Sequence, residues 1–173
     1  SFKEALSNAE TMLKGMEVGV NGFSRWSFTN RGDLDGQWQL IHTWDRANKK
    51  YLKQVEIEPA AFYGFGIITR FCVKNSAVVQ TKVNGDADIL SQTIRSPKGK
   101  LTIYVLNLGD KPKNIDLKIM GKANHLYLYT AIEAEISDPA YKMKAKKIII
   151  PGSGVFNFEI PPQSIYTLSE FNL

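Results

Sequence analysis

Cysteine is almost missing from this sequence: Cys72 is the single one among 173 residues, so no intrachain disulfide can form. It closes the apolar run Ile67-Ile68-Thr69-Arg70-Phe71, a setting that predicts a buried free thiol rather than a nucleophile. Histidine is nearly as scarce. His42 and His125 are the two in the chain, and neither stands at a ligand-like spacing from another ligand type, which argues against a metal centre and a catalytic triad. No Gly-rich phosphate loop is present and no cofactor is implied. No apolar run approaches the roughly 20 residues that cross a bilayer, and residue 1 is not followed by a basic region and an apolar core, so no membrane partner is expected. Internal repeats and low-complexity segments are absent too.

Positive charge is in modest excess, +5 at pH 7, but it is spread out. Lys49, Lys50 and Lys53 form one group; Lys142, Lys144, Lys146 and Lys147 form another, alternating with other residues along 141–150. Alternation puts lysines on the solvated face of a strand, and with no aromatic residues interleaved as stacking platforms the chain is not read as a nucleic-acid binder. Apolar residues make up 43% of the chain, enough for a packed core. The length suits one sizeable domain, or one small domain plus part of another.

The chain divides by grammar. Phe2, Ala5, Leu6, Ala9, Met12, Leu13 and Met16 recur at helical spacing and predict an amphipathic helix over 1–17, with Ser1 and Glu4 as a capping box and Gly19 as its stop. Val20 to Phe28, rich in aromatic and β-branched residues, predicts a strand, and the apolar stretch from Pro59 to Cys72 predicts a second helix. From Asn75 onward the pattern becomes short alternating segments separated by turn residues about every ten positions, the signature of an antiparallel sandwich. Expected strands are 77–83, 89–94, 101–106, 115–120, 126–130, 147–150, 155–160 and 164–171. The fold class read from this is mixed: an α-β-α segment over 1–73, half of an α/β repeat, then an all-β antiparallel β-sandwich over 74–173.

Between the expected strand and second helix lies Trp26-Ser27-Phe28-Thr29-Asn30-Arg31-Gly32-Asp33-Leu34-Asp35-Gly36-Gln37-Trp38, two indoles around a short loop of charged residues and glycines. A calcium loop would need a bidentate glutamate twelve positions from Asp33, where Trp44 stands. Arg31-Gly32-Asp33 matches an adhesion tripeptide, but an adhesive loop should be polar, whereas Phe28, Leu34 and Trp38 pin this one. Two readings stay open. In one, Trp26 offers a flat apolar face to a sugar ring while Arg31, Asp33 and Asp35 hydrogen-bond its hydroxyls. In the other, Trp26 fills the core and Arg31 pairs with Asp33 or Asp35 to hold the loop.

The succession Gly22 to Phe28, the loop Asn30 to Trp38, and Glu58-Pro59-Ala60-Ala61-Phe62-Tyr63-Gly64-Phe65-Gly66 resembles the last strand, loop and helix of a clan A glycoside hydrolase barrel. Its continuation resembles the β-sandwich appended to such barrels, especially in glycoside hydrolase family 30, with Leu90 to Leu108 like its central hairpin and Pro161 to Leu168 like its closing strand. The resemblance implies a partial (β/α)8-barrel segment over 1–73. It makes Trp26 the aromatic beneath the sugar next to the cleaved bond, with Arg31, Asp33, Asp35 and Trp38 lining or supporting the site. The partners it implies are a carbohydrate substrate and the missing N-terminal barrel portion, and the location an exported one, extracellular or periplasmic, with the signal upstream of residue 1. Clan A enzymes are retaining and use two glutamates about 5 Å apart, after the fourth and seventh barrel strands. Both would lie upstream of residue 1, so no catalytic residue is assigned and the chain by itself is not expected to hydrolyse anything. The rival expectation is a carbohydrate-binding or adhesion sandwich with Tyr104, Tyr127 and Tyr129 as an exposed platform; a sandwich that only stiffens the barrel is the third.

Overall fold

A computed structural model describes residues 1–25, 27–29, 39–45, 47–120, 123–138 and 140–173. Helix α1, Phe2–Glu17, buries the apolar stripe that its spacing predicts, and Glu4 accepts a hydrogen bond from the Ser1 nitrogen at 2.9 Å. Gly19 follows with φ 84°, the left-handed geometry that stops the helix. The strand expected over Val20 to Phe28 is not formed among the described residues there. A strand exists through its ladder, whereas the Val20 N–H turns back to the Gly15 carbonyl and, at the far end, the carbonyls of Ser27 and Phe28 accept from Leu40 and Ile41.

In place of a plain polar link the chain builds a hairpin, β1 (Ile41–Asp45) against β2 (Lys50–Ile57). Helix α2, Pro59–Thr69, starts with proline in its first turn and ends three residues before the expected Cys72. It crosses α1 where Gly64 meets Ala5: a Cβ on Gly64 would lie 2.5 Å from that of Ala5.

Strands β3 (Ala77–Val79), β4 (Ile89–Arg95), β5 (Leu101–Asn107), β7 (His125–Ile132), β8 (Lys146–Ile149) and β10 (Ser164–Ser169) form an antiparallel sheet in the order β3-β4-β5-β10-β7-β8. Strands β6 (Lys113–Lys118) and β9 (Val155–Ile160) pair as a second sheet, and a short helix α3, Glu133–Ile136, follows β7. One face of the large sheet, with Ile103, Val105, Leu126, Tyr166 and Leu168, packs on Ile115, Leu117, Phe156 and Phe158 of the small one. The opposite face, with Ile94, Tyr104, Leu106, Tyr129 and Ile165, packs on α1 and α2. Period-two patterning makes this two-sided burial possible, and the central β5 is buried at every position. The molecule is mostly antiparallel sheet with a few helices, consistent with a β-sandwich.

Two buried hydroxyls dock α2 onto the sheet. Thr167 Oγ1 of β10 donates to the Ile67 carbonyl and Tyr104 Oη of β5 to that of Ile68, each at 3.0 Å, satisfying carbonyls in the last turn of the helix. Cys72, expected as a buried free thiol, is exposed as a residue. Its Sγ nonetheless turns inward to lie 3.4 Å from Tyr104 Oη, and burial pushes the thiol pKa up. The lysine-rich segment alternates as expected: Lys142, Lys144 and Lys146 are exposed while Tyr141, Met143 and Ala145 pack on the core, although regular strand begins only at Lys146.

Candidate functional site

Trp26, Arg31, Asp33, Asp35 and Trp38, the residues that the sequence singles out for sugar contact, all lie outside the described residues. Their frame is described, and it brings three segments together. Leu40 donates its N–H to the carbonyls of Ser27 and Phe28, and Ile41 donates to Phe28, all at 3.1 Å. Glu58 N–H then donates to the Leu40 carbonyl at 2.9 Å, so the segment before the loop, the hairpin and the start of α2 share one backbone network. The hydroxyls of Thr29 and Thr43 close it at 2.9 Å. The described residues on either side of positions 30–38 are therefore held side by side, and Phe28 is 63% exposed there.

A chain of side chains runs beneath this base. Gln39 Nε2 lies 2.5 Å from His42 Nδ1, and His42 Nε2 lies 3.1 Å from Glu58 Oε2. With the Gln39 amide donating to Nδ1, the imidazole carries its proton on Nε2 and donates it to the Glu58 carboxylate. All three residues are half-buried, and Glu58 stands at the N-cap of α2, where the helix dipole favours negative charge. Both ring nitrogens are thereby engaged, so His42 ties the hairpin to the helix. Sequence spacing misses this: His42 and Glu58 are 16 positions apart, and only the β1–β2 turn brings them together.

The hairpin itself is the other feature the sequence reading misses. Trp44 and Tyr51 are cross-strand partners whose rings meet edge-to-face, centroids 4.9 Å apart and planes at 86°. Their signal was available as two aromatics around the turn-forming Asn48 and Lys49. The rival platform fares differently. Tyr104 and Tyr129 are core residues, 0% and 2% exposed, with Tyr129 Oη donating to the Phe171 carbonyl at 3.1 Å. Tyr127 is half-buried against the same core, in edge contact with His125.

Glutamates are distributed over separate elements: Glu10 pairs with Lys14 on α1, Glu58 with His42, and Glu135 of α3 accepts from Thr130. Among the described residues no group of three or more histidine, cysteine or acidic side chains is arranged to hold a metal ion.

No protein-family model matches the sequence, and no curated protein matches it. Solved structures do. The chain superimposes over 100% of its length on 39% of a glycoside hydrolase family 30 endoxylanase from Clostridium papyrosolvens C71, at 16% identity and a TM-score of 0.66. Over 98% of its length it matches 39% of a family 30 subfamily 8 xylanase from Clostridium acetobutylicum, at 18% identity and a TM-score of 0.68. An arabinose-bound family 51 α-L-arabinofuranosidase matches over 98% of this chain and 27% of its own, at 15% identity and a TM-score of 0.70. At such identities the likeness is one of fold, and the chain spans about two-fifths of the length of the xylanases it matches.

Proposed function

We propose that this chain is the C-terminal portion of a retaining glycoside hydrolase of the family 30 type, acting on O-glycosidic bonds of a poly- or oligosaccharide. The observation that carries the reading is the extent of the match: it runs through the helical part and the sheets alike, over the whole chain, while covering 39% of the partner enzyme. In this reading residues 1–73 are the last helix-strand-loop-helix unit of a (β/α)8 barrel and 74–173 the appended β-sandwich. Residues 20–28, which have no ladder among the described residues, would then gain one from a neighbouring barrel strand. The loop of residues 30–38 falls at the C-terminal face of that barrel, where such enzymes build their sites.

Trp26 then stacks on the sugar next to the cleaved bond. Arg31, Asp33 and Asp35 meet hydroxyl groups, and Trp38 braces the loop. The chemistry is double displacement by two glutamates carried on the rest of the protein. The protein is an exported one, working outside the cell or in the periplasm on carbohydrate.

Assay of the intact protein against xylan, arabinan and β-glucan tests this. Hydrolysis with retained anomeric configuration, followed by proton NMR, is the expected result, with Trp26→Ala lowering kcat/KM by about a hundredfold, roughly 2.7 kcal/mol of lost transition-state binding. An inverted product, or full activity in Trp26→Ala, overturns it.

A further inference from the structure

We propose that the β1–β2 hairpin is a second carbohydrate contact, an aromatic platform of Tyr51 and Trp44 that holds a more distant ring of the same glycan chain. The inference rests on the glycosidase reading: the hairpin belongs to the same connection as the 30–38 loop and is bonded to its base through Leu40, Ile41 and the Thr29–Thr43 pair.

Packing does not account for Tyr51. Among the described residues none of the hairpin belongs to either hydrophobic cluster, and Tyr51 is 75% exposed while Trp44 is half-buried. An edge-to-face pair covers at most one of its four ring faces, so the contact with Trp44 steadies the Tyr51 ring and leaves apolar π-surface open. That surface suits the C–H face of a pyranose.

The platform is also pre-organised. Asp45 accepts from the Asn48 N–H at 3.0 Å and from its Nδ2 at 2.7 Å, and Lys49 completes the turn with φ 50°. Strand pairing sets Trp44 opposite Tyr51 and His42 opposite Glu56, so Leu52 to Val55 bulge out against Thr43 alone. A bulge of this kind re-aims side chains and raises local twist. Trp44 stands three residues beyond Ile41 at the hairpin base, about 10 Å along the strand. In this reading the platform takes a further ring of a longer chain, not the ring that the loop holds.

Titration calorimetry on the intact protein decides it, with disaccharides and hexasaccharides of xylan, arabinan and β-glucan as probes. For the series that wild type binds, Tyr51→Ala should raise the hexasaccharide Kd about tenfold, leave the disaccharide Kd unchanged, and be rescued by Tyr51→Phe. The part of the emission that Trp44→Phe removes should shift with hexasaccharide and not with disaccharide. Unchanged hexasaccharide binding in Tyr51→Ala, equal losses for both lengths, or a Trp44-dependent emission blind to length overturns the platform while sparing the glycosidase reading. Wild type that binds no probe overturns both.

Discussion

Gly64 sets how closely α1 and α2 approach. A Cβ there would sit 2.5 Å from the Ala5 Cβ and 3.5 Å from its Cα, and Ala5 is itself 3% exposed with no long side chain to swing aside. Gly66, on the same helix, has nothing within 4 Å of the corresponding position. Either glycine costs its helix about 1 kcal/mol relative to alanine. Overpacking costs about 1–3 kcal/mol, so at Gly64 the clash outweighs the gain in propensity. Gly64→Ala is expected to destabilise by about 1–2 kcal/mol, whereas Gly66→Ala stabilises by up to about 1 kcal/mol. Urea unfolding of the two variants checks this; shifts in the same direction would mean that the helices are free to part.

Among the elements, β6 is fixed to the segment leading into β4 by one lysine between two aspartates. Lys113 Nζ lies 2.8 Å from Asp86 Oδ2 and 2.9 Å from Asp88 Oδ2. Its hydrogen bond, together with one from the Asp88 N–H, holds the Asp86 carboxyl below the usual carboxylate range. A depressed folded pKa means that the unfolded chain binds the proton more readily, so the clamp stabilises above the unfolded value and is lost as pH falls through the folded one. Lys113 is shifted upward by the same bonds, so its share is lost only as pH rises through its folded value, above about 10.4. Asp86→Asn should therefore lower the urea midpoint at neutral pH, with the difference from wild type shrinking below about pH 4 and vanishing in stronger acid. A difference that persists in strong acid would point to packing instead. The elements that were legible in the sequence are those whose burial imposes a period. Helix α1 shows all seven of its apolar positions buried, and β9 falls on the residues its alternation predicts, 155–160. The hairpin was not legible, because it stands off the core and β2 is exposed at six of its eight positions, which leaves no inside and outside to alternate. The strand expected at 20–28 has no ladder among the described residues for the converse reason: its composition favours extension, but composition supplies no pairing partner. The candidate sugar residues stand together in the sequence and lie outside the described residues; the Gln39–His42–Glu58 chain was not legible, since it exists only after the hairpin folds back.

For the molecule as a whole, the large sheet is apolar on both faces, and the face carrying Ile94, Tyr104, Leu106, Tyr129 and Ile165 is covered from residues 1–73. Tyr104 and Thr167 also place their hydroxyls on α2 carbonyls, so the interface is sealed by directional bonds as well as by area. Removing residues 1–73 would uncover these side chains as one contiguous patch, and soluble monomers rarely carry apolar patches beyond a few hundred Å². Residues 74–173 expressed alone are thus expected to aggregate, or to bind a dye such as ANS far more strongly than the 1–173 chain, even though β4, β5, β10 and β7 retain their ladders. The comparison also separates the two functional readings. A carbohydrate-binding sandwich that works by itself must fold as a soluble monomer with a cooperative unfolding transition from residues 74–173; that outcome would favour it. Loss of solubility on truncation means that the helices are structural partners of the sheet, as a sandwich built onto a barrel requires.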